Sequence, residues 1–97
     1  MSDEWKFDQA PNVAAVTSTH ITEDKKPILL VSHYSDDHSW AFLSGDAITV
    51  EESELVSMKE IVSIDPTVQE VANLKPGWSA ERKAVGDEWV SYEDSEI

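Results

Sequence analysis

Three consecutive segments decide the fold: Ile28-Leu29-Leu30-Val31-Ser32-His33-Tyr34, then Ser35-Asp36-Asp37-His38, then Ser39-Trp40-Ala41-Phe42-Leu43. The first is the most apolar run in the chain and is apolar on both faces of a period-two repeat, which marks a central strand. The four polar residues that follow suit a hairpin connection. The third segment returns antiparallel and puts Trp40 and Phe42 on one face. Ser44-Gly45-Asp46 closes it with a turn.

Upstream, Val13 to Ser18 is β-branched, rich in small residues and free of Gly and Pro, as a strand requires. The polar stretch Thr22 to Lys26 interrupts the chain, and Pro27, which lacks a donor N–H, belongs at a strand start. Downstream, residues 47–64 carry mixed signals. Ser57-Met58-Lys59-Glu60 matches the S-x-x-E capping box, whereas the β-branched residues from Val56 to Ile64 favour extended backbone. One helical turn flanked by short strands is expected there. Asp65 before Pro66 is an N-cap preceding Pro at the first helical position. Val68, Val71 and Leu74 form one apolar stripe, Lys75 falls in the last turn, and Pro76-Gly77 ends the helix. Trp78 to Arg82 alternates as a half-buried strand, and Glu88 to Tyr92 pairs back on it after the turn Val85-Gly86-Asp87. The expected architecture is α+β, an antiparallel sheet of about five strands with one short helix packed on a face. Residues 1–12 form an N-terminal arm, 13–92 a single domain and 93–97 an acidic C-terminal tail. Trp5 and Phe7 are expected to tuck the arm onto the core; the competing use is contact with a partner.

With 97 residues the chain supports one modest core. Its 20 acidic residues against 7 Lys and Arg give a formal charge of −13. That surplus argues against nucleic acid, which needs clustered cations, and against docking on anionic lipid. Disulfides, thiolate metal sites and cysteine catalysis are excluded because there is no Cys. The longest apolar run, Ile28 to Val31, is far shorter than the roughly 20 residues of a membrane span. Met1-Ser2-Asp3-Glu4 opens the chain without an apolar segment, so a cytoplasmic protein is expected.

Catalytic signatures are absent from the pattern. Gly45, Gly77 and Gly86 stand in separate turns, no Ser occupies a nucleophile elbow, and His20, His33 and His38 form no H-E-x-x-H. The run from His33 to His38, with Asp36 and Asp37 between, has ligand-type residues, but turn chemistry explains it better than a metal does. The carboxylate pairs Asp36-Asp37, Glu51-Glu52 and Asp87-Glu88 fall in turn-like segments where both acids stay ionised. No catalytic, cofactor-binding or metal-binding residue is assigned, and no enzyme is expected. Trp40, Trp78 and Trp89 are read as core residues whose indole N–H groups need partners. The single arginine, Arg82, is expected in an ion pair or stacked on a Trp.

A family resemblance adds to this. Ala14-Ala15-Val16-Thr17-Ser18-Thr19-His20-Ile21-Thr22, the aromatic strand Trp40-Ala41-Phe42-Leu43 ending in Ser44-Gly45-Asp46, the helix start Asp65-Pro66 and the strand Pro76-Gly77-Trp78-Ser79-Ala80-Glu81-Arg82 occur in a known order. Together with Trp89 they resemble domain of unknown function 2185, grouped with the immunity-protein-33-like proteins of bacterial polymorphic toxin systems. The likeness runs from Val13 to Val90, with Ser39 where the family often has Gly and Ala47 where it commonly has an acid. It implies a non-catalytic protein that binds and neutralises a protein partner such as a basic toxin. The acidic surface suits such a partner by electrostatic steering. The expected contact residues are Asp46, Glu51, Glu52 and Glu54, with Asp36 and Asp37 at the opposite end of the Trp40–Phe42 strand. The competing reading is an accessory or regulatory domain without a toxin partner, self-associating through a sheet edge or apolar face. Monomer or weak homodimer is the expected state.

Overall fold

The hairpin read from the sequence forms, and it lies at the centre of a six-stranded sheet. In the computed structural model, which describes residues 5–94 and residue 97, the chain runs through β1 (Ala14–Ser18), α1 (Thr19–Thr22), β2 (Leu30–His33), β3 (Trp40–Leu43), a 3-10 helix (Val50–Glu52), β4 (Ser53–Ser57), α2 (Met58–Ile64), a second 3-10 helix (Pro66–Val71), β5 (Trp78–Glu81) and β6 (Val90–Glu93). Residues 1–4 of the expected arm and Ser95 and Glu96 of the expected tail lie outside the described residues. Glu93 of that tail belongs to β6.

The strand order is β4-β1-β3-β2-β5-β6. The α+β class is as expected, but the sheet is mixed, not wholly antiparallel, because β1 runs parallel to β3 through Val16↔Ala41. The connection through α1 and Pro27 carries the chain two strand positions from β1, leaving one position open, and the tight β2–β3 turn then returns β3 into that gap. A strand inserted in this way must point the same way as β1. Every other neighbouring pair is antiparallel.

The sheet's two faces differ. One carries Ala15, Thr17, Val31, His33, Trp40, Phe42 and Ala80, all buried. Met58 and Ile61 of α2, Val68 and Val71 of the second 3-10 helix, Ile21 and Ile28 complete that core, and Phe7 sits edge-on to Trp40 and Phe42 at centroid distances of 4.9 and 5.9 Å. Ser57 caps α2 by accepting the Glu60 N–H at 3.0 Å, as the S-x-x-E pattern predicts. Asp65 caps the next element likewise, accepting the Thr67 N–H at 3.0 Å. That element is a 3-10 helix rather than an α-helix. Val68, Val71 and Leu74 are spaced by three, the period at which a 3-10 helix stacks its side chains on one face. It ends at Val71, so Lys75 lies beyond it and not in its last turn.

The opposite face is uncovered by any helix. Its central row, read across the six strands by register, is Leu55, Val16, Ala41, Ser32, Ser79 and Tyr92. Large residues stand at the two ends and small ones between, with Ser32 and Ser79 hydroxyls 2.8 Å apart. Tyr92 donates its hydroxyl to Glu81 at 2.6 Å, and this bond first, with burial second, pushes the phenol up to about 12.

Arg82 ties the layers together. Its side chain is fully buried and donates from Nε and Nη2 to Ile28 O at 3.1 and 3.0 Å, from Nη1 to Thr67 Oγ1 at 2.9 Å, and from Nη2 to Asp65 Oδ2 at 2.7 Å. Trp89 lies over the guanidinium at 4.2 Å. Ion pair and aromatic stacking, the two expected uses, therefore occur together, with Trp89 and not strand-mate Trp78 as the ring.

Two substitutions test this core. Trp40→Ala removes a completely buried ring and should destabilise by about 3–5 kcal/mol. Arg82→Ala leaves the largely enclosed Asp65 carboxylate without its cation and should cost a similar ~3–5 kcal/mol. Urea denaturation measures both. Losses under about 1 kcal/mol, the range of exposed pairs, would refute the buried tie.

Candidate functional site

The six carboxylates expected at a partner surface fall into two groups at opposite ends of β3. Asp36 and Asp37 lie in the turn that precedes it, and Asp46 lies three residues beyond its end. In the turn, Asp36 Oδ1 accepts the Asp37 N–H at 2.8 Å and Asp37 Oδ1 accepts the Ser39 N–H at 3.0 Å. Hydrogen bonds from Ser39 hold the Asp37 carboxyl below its usual range. His38 closes the turn in the left-handed region, at φ 61°. Both acids thus shape the hairpin tip.

At the other end, Gly45 adopts φ 94°, a conformation that favours glycine, and lets Ser44-Gly45-Asp46 double back. Lys26 Nζ donates to Asp46 Oδ2 at 2.9 Å and Ser44 Oγ donates to the same oxygen at 3.2 Å. These bonds, Lys26 foremost, hold the Asp46 carboxyl low. The Lys26 ammonium is raised in turn, by its bond to Asp46 before all and then by the charges of Asp46, Asp24 and Glu52. Glu52 Oε1 accepts the Thr49 N–H at 2.9 Å, which completes a capping box on the first 3-10 helix. Its other oxygen meets His20 Nε2 at 3.0 Å. The Thr49 N–H first, and His20 second, lower the Glu52 carboxyl. Glu51, next to it, is exposed.

Glu54 stands apart, half-buried on the helix-covered face, where it accepts the Thr22 hydroxyl at 2.5 Å. So the fold brings Asp46 and Glu52 together, adds Asp24, and leaves Glu54, Asp36 and Asp37 elsewhere. Lys26 and His20, which sit among these acids, were missed by the sequence reading. Thr49-Val50-Glu51-Glu52 is a T-x-x-E capping box legible in the sequence and would have fixed Glu52 as a turn residue.

The two histidines of the tip are close, with ring centroids 6.0 Å apart. His33 is buried, stacks on Trp40 at 4.0 Å, and donates from Nδ1 to Leu74 O at 2.7 Å. Its Nε2 lies 3.4 Å from Asp8 Oδ2, while Asp8 Oδ1 accepts the Trp40 indole N–H at 2.9 Å. Among the described residues, no group of three or more His, Cys, Asp or Glu has a metal-holding arrangement. No helix among them is long and apolar enough to cross a membrane. An open groove of about 710 Å³ between Trp5, Pro11, Val62, Pro66 and Gln69 is mainly apolar and presents no carboxylate. What the acidic end offers chemically is electrostatic: anionic oxygens held ionised, the Lys26 ammonium and the His20 ring already engaged within it, and one exposed acid, Glu51.

Because the Glu52 carboxyl is held below the ordinary 4.5, its ionised form stabilises the fold. That contribution is complete above pH 4.5 and is lost as the pH falls through the lower folded-state value. Glu52→Gln should therefore melt below the wild type near neutrality, and the gap should narrow as the pH is lowered below 4.5. Thermal melts of the two proteins across that range measure it; a gap that stays constant would show that the charge contributes nothing.

Compared with family models, with characterised proteins and with solved structures, the chain finds no match in any of the three.

Proposed function

We propose that this protein acts by binding, without catalysis: a cytoplasmic protein of the immunity type that its sequence resembles, which captures a cationic protein such as a toxin. The observation that carries this reading is the acidic end around Asp46 and Glu52. Asp24, Asp46 and Glu52 all act on the single Lys26 ammonium, so that cation is outnumbered where it stands. Arg82, the strongest cation of the chain, is buried against Asp65 and contributes nothing outward. With a formal charge of −13, the surface steers a basic partner and repels polyanions. Glu51 is the contact acid of this surface, since Asp46 and Glu52 are already tied to Lys26 and His20. Their fixed positions give a partner a preorganised negative field with little ordering cost.

Affinity capture from the native host at low salt should yield a basic protein that elutes as salt is raised. Glu51→Lys should slow its association several-fold and flatten the salt dependence, while stability changes by only a few tenths of a kcal/mol. Equal association rates for wild type and variant at low salt would reject the acidic end as the contact. Recovery of no basic protein would reject the reading itself.

A further inference from the structure

We propose that β4 is a self-pairing edge: two copies of this chain associate by laying β4 antiparallel against β4, centred on Leu55. The backbone geometry is the starting point. β4 is the last strand of the sheet on its side and pairs with β1 from Ala14↔Ser57 to Ser18↔Ser53. One step further along that register, the Met58 N–H donates to Val13 O at 2.8 Å. Hydrogen-bonded and non-bonded pairs alternate in an antiparallel ladder. Val56 and Glu54 therefore bond to β1, whereas Ser57, Leu55 and Ser53 turn their backbone groups outward. The Ser53 N–H is taken by Val50 O. The Leu55 N–H and C=O, the Ser57 N–H and the Ser53 C=O are left along the edge, beside a Leu55 side chain that is 71% exposed.

This edge is complementary to itself. In a two-fold pair centred on Leu55, the two Leu55 residues exchange both backbone hydrogen bonds, and each Ser57 N–H reaches the Ser53 C=O of the second copy. Val56 stands opposite Glu54 of the second copy, once on each side of the Leu55 pair. Such i-to-j reciprocity is what a two-fold interface requires. On the uncovered face, Leu55 and Val16 of both copies join into one apolar band. The cost lies in the two Glu54 carboxylates, whose backbones pass at about 8 Å on the diagonal; each already accepts a hydroxyl, from Thr22. The overall charge of −13 on each copy is screened beyond about 8 Å at physiological salt. One strand pair buries less than a standard interface, so the dimer belongs to the weak, transient class.

Sedimentation of the purified chain from about 10 μM to about 1 mM, with no partner present, tests this by mass action. The wild type should pass from monomer towards dimer, with the Leu55 amide exchanging more slowly as concentration rises. Leu55→Lys should stay folded by circular dichroism and remain monomeric. A wild type that is monomeric throughout, a dimer that survives Leu55→Lys, or a Leu55 amide whose exchange ignores concentration would each overturn the proposal. Because none of these measurements contains a toxin or other partner, their outcome is separate from that of the binding function.

Discussion

A buried guanidinium cannot stand alone, and the placement of Arg82 follows from that. Removing it from water is tolerable only if every donor finds an acceptor and its charge finds a carboxylate. The chain meets this demand from two separate places: the Ile28 carbonyl at the entry to β2, and Asp65 with Thr67 at the start of the second 3-10 helix. Trp89, just before β6, covers the remaining flat side. One side chain thereby fixes where β5 ends, how the 3-10 helix sits on the sheet and where β6 begins. Asp65 does two jobs at once, capping with Oδ1 and pairing with Oδ2. Neither partner can change without exposing the other.

Much of this was legible in the residues, and the limits are physical. Local signals are encoded within a few residues, so the β2–β3 hairpin, the Ser57 cap and the Asp65-Pro66 start are plain in the sequence. The parallel contact of β1 with β3 is not. Whether a hairpin returns outside its neighbour or into a gap depends on the whole sheet, and periodicity carries no record of it. The apolar spacing of Val68, Val71 and Leu74 does hold the 3-10 period, but a spacing of three is also compatible with an α-helix. Electrostatic pairing was the least legible. Which of 20 carboxylates meets Lys26 or His20 is decided by contacts across 20 to 32 positions of sequence.

The acidic segment is accordingly divided in its duties. Asp46 and Glu52 serve the turn and the first 3-10 helix, and Glu54 serves the covered face of the sheet. Those contacts position all three carboxylates, hold Asp46 and Glu52 ionised, and leave Glu51 exposed. Structure and surface chemistry draw on the same short stretch, so changes there act on both. The sheet shows a parallel division: one face carries the whole core, while the other is left to small residues with large ones at its margins.

The insertion of β3 beside β1 has a consequence for how the chain acquires its shape. As residues emerge in order, β1 is made first, yet both of its neighbours come later: β3 after a gap of 21 residues and β4 after a gap of 34. The β2–β3 turn closes over six residues and can form alone. β1 therefore has no template until that hairpin exists, and it remains without its second neighbour until the chain has passed Ser57. Non-local pairings of this kind slow folding. The first strand to be synthesised thus waits for both of its neighbours, and for that interval its alternating Ala15 and Thr17 face is open to whatever else is nearby.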